Sequence, residues 1–426
     1  MLIQFNFKNY KSFRDDTSLD LSATKENEFA FHIREEANEK ILPVAVIYGA
    51  NASGKSNVQE ALDYMVMFVL RSLNFGEESK DDKYYRPTPF LFDKKSKDEV
   101  STFEVYFTLP KDEKGITYNY GFSLDNEGVV EEWMNYKART GRKYSRIFFR
   151  SKDELLLDGI PAKARENLKI ALNQKTLLVS LGAKLKVEKL GVVFNFFTNI
   201  EIADFGQPIR NFILSTQVPP HLDDDENVRK DVINFFHSFD ESIVDLRVEV
   251  IKGEDDEGKD ETHLRIDAGH KTVDSDEISY IPLRNESAGT LKMFALYPFI
   301  QEILKNGGLL FIDELNARLH PLLVRCFVQL FLDPEKNKNN AQLIFTSHDS
   351  WQLNNGTFRR DEIWFTDKTK DGVSTLYSLA EFGGEDGKTP IRSDENFEKN
   401  YLLGKYGGIP SMRSFEVCVE DSVDGK

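Results

Sequence analysis

Residues 44–57 read VAVIYGANASGKSN, an apolar run followed by a turn that is bracketed by glycines and ends in Lys55 and Ser56. The turn fits the pattern G-x-x-x-x-G-K-[ST], in which backbone N–H groups surround phosphate oxygens, the lysine reaches the outer phosphates and the hydroxyl holds Mg²⁺. The flanking residues predict a buried strand before the turn and an amphipathic helix after it, and a helix N-terminus attracts anions. The candidate phosphate-binding residues are Gly49, Asn51, Ala52, Ser53, Gly54, Lys55, Ser56 and Asn57.

Composition sets broad limits on the class of protein. The chain has 426 residues, of which 40% are hydrophobic and 30% charged, as in an ordinary folded protein of several domains or one large α/β domain with insertions. No apolar run approaches the roughly 20 residues of a membrane span, and the N-terminus has no signal-peptide pattern. We therefore expect a cytoplasmic protein without membrane contacts. Cys326 and Cys418 lack metal-binding spacing and are expected to be inert thiols.

The formal charge of -16 argues against a chain that coats nucleic acid over its whole surface. Acidic runs at 223–226 and 254–257 are expected to be solvated loops. A local basic cluster is nevertheless present, and it consists of Lys137, Arg139, Arg142, Lys143, Arg146 and Arg150. Two interpretations of this cluster stay open: a surface that faces nucleic acid, or the polar face of a hairpin that turns at Thr140 and Gly141.

Hydrophobic periodicity divides the rest of the chain into regions. Residues 84–158 show the alternating pattern of an antiparallel β-subdomain, with strands separated by Gly, Asp and Lys turns. A polar segment at 76–83 precedes it and is expected to be a loop. Residues 160–242, including a long apolar stretch at 177–214, are expected to form a helical insertion. Residues 381–426 are expected to be a C-terminal extension.

A second candidate half of the site lies about 230 residues beyond the first. The run LLFIDE at 309–314 ends an apolar strand with two carboxylates, at the edge where a parallel sheet presents its ligand crevice. Beside an intact phosphate-binding loop, Asp313 is placed to hold Mg²⁺ with Ser56, and Glu314 to polarise an attacking water. The alternative is a pair of acids that ends a strand in solvent.

One strand later, LIFTSH at 343–348 ends with His348 at the same expected edge. A neutral imidazole there could hydrogen-bond the γ-phosphate, so that His348 joins Glu314 as a candidate catalytic residue. The alternative is a histidine that merely ends a strand.

Together, GANASGKSN, FIDE and FTSH resemble the nucleotide-binding heads of the ABC-type ATPases of the structural-maintenance and RecF-like group. The opening FNFKNYKSFRD is similar to the strand and turn that begin those heads and lie by the nucleotide base. This resemblance implies an α/β P-loop NTPase head with a mixed sheet, built from residues 1–75 and 270–380. The β-subdomain and the helical insertion lobe would lie between these two halves of the sequence.

In that family a second protomer closes the ATP site with a Ser-x-Gly loop at the start of a helix. Ser287 and Gly289 match this pattern, which implies an ATP-sandwich homodimer, whereas the alternative for Ser287 is a plain helix cap. Loop 316–321, with His320 before Pro321, resembles small bacterial abortive-infection and overcoming-lysogenization-defect ATPases, as does YLLGKYGGIP at 401–410. The family glutamine that couples nucleotide to the inserted lobe has no clear counterpart.

The resemblance implies an ATPase that uses ATP and Mg²⁺ and controls a nuclease or toxin in anti-phage defence. About 78 residues follow His348, too few for a fused nuclease domain of the Toprim type, so we expect a separately encoded effector. Two alternatives remain. One is a RecF-like DNA clamp that uses the basic cluster, and the other is an ATP-bound scaffold with incidental turnover.

Overall fold

The computed structural model describes residues 1–410 except positions 27, 76–85, 111, 113, 216, 255–259, 355, 383–390 and 393. The polar segment at 76–83, most of the acidic run at 254–257 and Cys418 lie outside the described residues. The described strands, in chain order, are β1 (Leu2–Lys8), β2 (Thr17–Asp20), β3 (Arg34–Glu36), β4 (Glu39–Ile41), β5 (Val44–Gly49), β6 (Ser101–Thr108), β7 (Thr117–Leu124), β8 (Val129–Lys137), β9 (Ser145–Ser151), β10 (Leu155–Leu156), β11 (Ile200–Asp204), β12 (Ile243–Glu254), β13 (Asp260–Lys271), β14 (Ile278–Pro282), β15 (Leu309–Asp313), β16 (Gln342–Thr346), β17 (Ile363–Lys368) and β18 (Ser374–Ser378).

All but the first α-helix of the described residues lie after β10 in the chain. The α-helices are α1 (Lys55–Arg71), α2 (Ala162–Ala171), α3 (Leu178–Lys184), α4 (Glu188–Phe197), α5 (Pro208–Ser215), α6 (Glu226–His237), α7 (Ala288–Asn306), α8 (Pro321–Leu332) and α9 (Phe397–Leu402). Within the described residues, no helix is long and apolar enough to cross a membrane.

A six-stranded sheet with the order β11-β15-β16-β5-β17-β18 carries the sequence motifs. Its first five strands run parallel and only β18 is antiparallel. The carboxyl ends of β5, β15 and β16 therefore meet at one edge, although these strands lie far apart in the chain. The predicted mixed α/β fold with the phosphate loop beside the paired acids is confirmed at this level.

Strand β5 is buried on both faces, as its uninterrupted apolar run predicts. Successive side chains of a strand point to opposite faces. Ala45 and Ile47 accordingly join the core formed with α1, α3, α4 and the second sheet. Val44, Val46 and Tyr48 join the core formed with α7 and α8 on the other face. The central sheet thus packs between two hydrophobic layers.

The second sheet has the order β10-β9-β8-β7-β6-β1-β2 and is antiparallel throughout. Its strands β6 to β10 form where the alternating pattern predicts them. The N-terminal strands β1 and β2 extend the same sheet, so the opening of the chain lies beside residues 101–108. A third, three-stranded sheet, β12-β13-β14, packs with α6 over the start of α7.

The expectation that residues 160–242 are helical is wrong at one place. Residues Ile200–Asp204 form β11, which pairs in parallel with β15 and adds a strand to the central sheet. The sequence here is IEIAD, and its isoleucines favour a strand once a buried edge is available. Its apolar residues run on from those of α4, so periodicity alone does not separate the strand from the helix before it.

Candidate functional site

The phosphate-loop pattern forms a tight turn between β5 and α1. A side chain at Gly49 would place its Cβ 2.4 Å from the Thr366 hydroxyl, and one at Gly54 would lie 2.8 Å from the Ser374 hydroxyl. Only glycine therefore fits at these two positions. Gly54 caps α1 without any side-chain hydrogen bond, so the first N–H groups of the helix remain available to an anion.

Lys55 lies at the mouth of this loop. Its ammonium group donates to the carbonyl oxygens of Gly49 at 2.9 Å and Ala50 at 3.0 Å. Burial lowers the pKa of Lys55 to about 8, and the nearby carboxylates of Asp313 and Glu314 oppose that decrease. The Lys55 ammonium thus donates to neutral carbonyl oxygens, which are weaker acceptors than the charged oxygens of a phosphate would be.

Ser56 and Asp313 meet although 257 residues separate them. The Ser56 hydroxyl donates to Asp313 Oδ2 at 2.7 Å, and the Thr346 hydroxyl donates to Asp313 Oδ1 at 2.5 Å. The expected meeting of the phosphate loop with the paired acids is confirmed by these contacts. Hydroxyl and carboxylate oxygens are ligands that suit Mg²⁺.

Glu314 and His348 face the same cleft. Glu314 has a φ of +53°, and its backbone N–H donates to the Thr346 hydroxyl at 2.8 Å. His348 Nε2 lies 4.0 Å from Glu314 Oε1. Burial lowers the pKa of His348, and the positive charge of Lys55 lowers it further. This decrease favours the neutral form of the imidazole, although the carboxylates of Glu314 and Asp313 oppose it.

The cleft that these residues enclose has a volume of about 430 Å³. Seven of the predicted phosphate-loop and acid residues line it together with His348 and Lys368, and these seven are Asn51, Ala52, Gly54, Lys55, Ser56, Asn57 and Glu314. Gly49 and Ser53 lie beneath it, where Ser53 Oγ is 2.5 Å from Thr366 Oγ1. Ala52 has a φ of +62°, a left-handed conformation that a Cβ disfavours.

The opening turn of the chain lies beside the start of α1. Tyr10 and Phe13 pair across this turn, and the Ser12 hydroxyl between them accepts from Asn57 Nδ2 at 2.7 Å. The Ser374 hydroxyl donates to the same oxygen at 2.8 Å. The turn is thus tied to the first helical turn after the phosphate loop.

Sequence reasoning missed the residues that follow β11. Asp204 lies opposite Asp313 in the parallel pairing, and its carboxylate accepts from the backbone N–H groups of Gly206 and Gln207. Gly206 is close enough that a Cβ would lie 3.0 Å from Asp313 Oδ2. The Gln207 amide donates to Glu60 Oε1 on α1 at 2.9 Å. The turn-forming DFGQ after an isoleucine-rich run was the available signal.

Ser287 and Gly289 lie in a different cleft, also of about 430 Å³. Ser287 caps α7, where its hydroxyl accepts from the backbone N–H of Thr290 at 3.1 Å. A Cβ at Gly289 would lie 2.9 Å from the carbonyl oxygen of Arg318, a residue with a φ of +63°. Neither Ser287 nor Gly289 lines the phosphate-loop cleft of the same chain.

Comparison with known protein families identifies the family of this chain. Residues 44–350 match the family described as "AAA domain, putative AbiEii toxin, Type IV TA system". The chain belongs to this family. The resemblance to small bacterial abortive-infection ATPases is thereby confirmed, and the matched range runs from β5 to just past His348. No curated protein sequence matches the chain.

Two solved structures are similar to this AbiEii-type AAA protein. One is an Smc head bound to the C-terminal winged-helix domain of ScpA, at 15% identity and TM-score 0.37, covering 88% of this chain and 97% of that one. The other is an Smc head domain with an extended coiled coil, bound to the C-terminal domain of ScpA derived from Pyrococcus furiosus. It has 16% identity and TM-score 0.36, and covers 88% of this chain and 96% of that one.

A buried lysine of this AbiEii-type AAA domain joins α7 to the turn after β15. Lys292 donates to the carbonyl oxygens of Glu314 at 2.7 Å, Leu315 at 3.0 Å and Ala317 at 3.1 Å. Burial lowers the pKa of Lys292 to about 7, while the Glu314 carboxylate opposes the decrease. Lys292 thus fixes the backbone of Glu314 to the helix that Ser287 caps.

The basic cluster at 137–150 occupies β8, β9 and their connection in the same protein. Three of its six basic side chains have acidic partners: Lys137 pairs with Glu39, Arg146 with Asp158 and the buried Arg150 with Glu132. The side chains of Arg139, Arg142 and Lys143 are exposed. A nucleic-acid surface in this cluster would therefore consist mainly of these last three residues. Among the described residues, no group of three or more His, Cys, Asp or Glu side chains could hold a metal ion.

Proposed function

We propose that this chain is a Mg²⁺-dependent ATPase whose ATP site is completed by a second copy of the chain. The observation that carries the proposal is the 2.7 Å hydrogen bond between Ser56 and Asp313 at the mouth of a phosphate loop. A hydroxyl and a carboxylate from two distant motifs converge there beside a lysine. This is the arrangement that phosphoryl-transfer sites of the P-loop class use.

The residues present fit Mg²⁺ and a nucleoside triphosphate. Ser56 and Asp313 would hold the metal, Lys55 would turn from its two carbonyl partners to phosphate oxygens, and the free N–H groups of α1 would receive the phosphates. Mg²⁺ supplies charge that offsets the phosphate oxygens and orients them. The proposed nucleotide-binding residues remain those of the predicted loop at 49–57.

Glu314 and His348 are the proposed catalytic residues. The Thr346 hydroxyl fixes the backbone of Glu314, and the carboxylate faces the cleft, where it would orient and polarise the attacking water. His348, whose neutral form is favoured because burial and Lys55 lower its pKa, would donate a hydrogen bond to the γ-phosphate. Gln207, tied to Glu60 on α1, is the proposed coupling glutamine between the site and the inserted region.

The proposed partner in the ATP site is a second copy of the chain. Ser287 combines a hydroxyl with the N-terminus of α7, which has 19 residues, and Gly289 adds no side chain there. Because both lie in a cleft apart from Lys55 and Ser56, they would reach a γ-phosphate from the opposite side of a dimer. We therefore propose an ATP-sandwich homodimer that opens on hydrolysis.

We also propose that the dimer controls a separately encoded nuclease or toxin in anti-phage defence. The family description refers to AbiEii toxins and type IV toxin–antitoxin systems, which supports a role of this kind. The test is to purify the protein from cells that express its neighbouring reading frames and to measure phage growth. Purification without a companion, together with no change in phage growth, would contradict the proposal.

Replacement of Glu314 by Gln tests the ATPase assignment. We expect ATP turnover to fall by about 100-fold or more, since general-base and electrostatic contributions to such steps are of that size. ATP binding should persist, because the phosphate loop is untouched. Unchanged turnover would show that Glu314 is not catalytic.

The same variant tests the scaffold alternative. If Glu314→Gln keeps biological activity while Lys55→Ala abolishes it, the chain is a scaffold with incidental turnover.

A RecF-like DNA clamp is the second candidate. The exposed side chains of Arg139, Arg142 and Lys143 at one turn favour it. ATP-dependent DNA binding that weakens with salt and disappears in Arg142→Glu combined with Lys143→Glu would support the clamp. Arg146 is a matched site for comparison because Asp158 already neutralises it.

A further inference from the structure

A stretch outside the family match packs beneath the phosphate loop. Residues 397–410 contain α9 and a turn in which Gly404, Gly407 and Gly408 all have positive φ values. Tyr406 is fully buried and Tyr401 nearly so. The rings of both lie against Phe365 of β17, with centroids 5.8 Å and 5.4 Å away. This part of the chain is therefore fixed to the central sheet.

Gly408 touches the first glycine of the phosphate loop. A Cβ at Gly408 would lie 3.6 Å from Gly49 Cα and 3.2 Å from the carbonyl oxygen of Thr366. Thr366 in turn bonds Ser53 within the loop. The backbone of Gly408 thus packs directly on the point where β5 becomes the phosphate loop.

Tyr401 joins the same two backbones through its hydroxyl. The hydroxyl donates to the Gly408 carbonyl at 3.2 Å. Burial raises the pKa of Tyr401, and a hydrogen bond from the Gly49 backbone opposes that increase. One buried oxygen therefore lies between the C-terminal turn and the backbone of the phosphate loop.

The other end of the stretch reaches the segment that follows His348. The Ser350 hydroxyl donates to Glu398 of α9 at 3.2 Å. Ser350 begins the short 3₁₀ turn Ser350–Gln352, two residues beyond His348. Residues 397–410 thus contact both the start of the phosphate loop and the segment that carries the proposed γ-phosphate histidine.

We propose that Tyr401 and Gly408, which we call the C-terminal clasp, are positioning residues that hold Gly49 and the phosphate loop in the conformation that binds ATP. The clasp lines no part of the phosphate-loop cleft and acts through Gly49 and Thr366. This proposal rests on the proposed function, because it assumes that the phosphate loop binds ATP. It assigns a role in the nucleotide site to the sequence YLLGKYGGIP.

Gly408→Ala compared with Gly404→Ala tests the clasp. The two glycines have φ values of +65° and +78°, so an alanine is similarly strained at either position. At Gly408 the new methyl group would lie 3.2 Å from the backbone oxygen of Thr366, a tight contact, and 3.6 Å from Gly49 Cα, whereas at Gly404 it would lie 2.7 Å from the flexible end of the Ile409 side chain. ATP affinity is measured by calorimetry in a Glu314→Gln background, and KM and kcat in the otherwise native chain.

We expect Gly408→Ala to raise the KD and KM for ATP about tenfold, a part of the roughly 100-fold loss that a 1 Å misplacement can cause. Gly404→Ala should leave the KD and KM within about twofold of their native values. It should lower the melting temperature by about as much as Gly408→Ala does. Should Gly408→Ala fail to fold, Tyr401→Phe keeps the ring and removes only the hydroxyl, and it should raise the KM several-fold.

The outcomes separate the two proposals. Affinity and KM that are the same in Gly408→Ala or Tyr401→Phe as in Gly404→Ala would overturn the clasp while the ATPase assignment stands. A native chain that binds no ATP would overturn the proposed function and the clasp with it. A KM that rises at constant melting temperature, relative to Gly404→Ala, supports positioning rather than general stabilisation.

Discussion

Two clefts of similar volume lie on this chain, and their polar groups have different partners. In the phosphate-loop cleft, Lys55 and Ser56 are held by loop carbonyls and by Asp313, partners that phosphate and Mg²⁺ can replace. In the other cleft, Ser287 caps its own helix and Gly289 packs on the backbone of Arg318. We propose the first cleft as the ATP site, whereas the second presents a helix N-terminus that would meet the ATP bound to a second copy of the chain.

Two buried lysines show the same contrast. Lys55 donates to two carbonyls of the loop that precedes it, whereas Lys292 donates to three carbonyls of the turn after β15. Burial lowers the pKa of both, to about 8 and about 7 respectively. Lys292 already has three acceptors, as many as an ammonium can use, so its role is to hold the backbone beside Glu314.

Asp313→Asn, in the phosphate-loop cleft, should have the largest effect on ATP turnover. The amide cannot serve as an anionic metal ligand, and it disturbs the bonds from Ser56 and Thr346 at once. We expect ATP turnover to fall by about 100-fold or more, by analogy with the loss of one transition-state electrostatic contact. The control is Asp333→Asn, at the end of α8. Turnover within threefold of the native rate would contradict a metal role for Asp313.

Mixing two inactive variants tests whether the second cleft acts across a dimer. Lys55→Ala destroys the phosphate loop and Ser287→Arg blocks the helix N-terminus, so each alone should be inactive. A mixed dimer contains one site with a native loop and a native Ser287. We expect the mixture to recover about one quarter of native turnover if subunits pair at random. A mixture no more active than either variant would place Ser287 outside the trans site.

Lys292 should make stability depend on pH. Its pKa is about 7 in the folded chain and about 10.4 when unfolded. Between these values the unfolded chain binds more protons, so stability rises with pH by about 1 kcal/mol per unit relative to Lys292→Met. The contribution is complete above the unfolded pKa and is lost as the pH falls through 7. Urea unfolding at pH 7, 8 and 9 measures the free energy of unfolding of the native chain and of Lys292→Met. A difference between the two that does not change with pH would contradict the prediction.

Ala52→Gly should change stability and ATP affinity least of the substitutions proposed. Relief of the left-handed φ of +62° favours glycine by about 1–2 kcal/mol, and the greater freedom of glycine in the unfolded chain offsets about half of it. We expect a gain in stability below about 1 kcal/mol with ATP affinity unchanged. Ala50→Gly, in the same loop, is the control. A loss of stability on Ala52→Gly would show that the alanine methyl group makes a favourable contact.

Much of the site could be predicted because short motifs carry it. LLFID and QLIFT are largely apolar strands that end in polar groups, and the phosphate loop has glycines at positions where an added Cβ would collide with Thr366 or Ser374. Strand β11 and the DFGQ that follows it could not be predicted in the same way. Its apolar residues continue those of α4, so the turn-forming DFGQ is the one local boundary signal, and pairing with β15 fixes the strand.

Short patterns in the sequence are enough to predict a loop that can close around phosphate, paired acids at a strand end and a histidine one strand later. The folded structure was needed to show that Gly408 packs on Gly49, and it gives the 2.7 Å hydrogen bond by which Ser56 meets Asp313 across 257 residues. It also decided that Ser287 and Gly289 line a different cleft from Lys55. The physical reason is that strand order in a parallel sheet is set by nonlocal burial and hydrogen bonding. Neither end of such a contact carries a local signal for its partner.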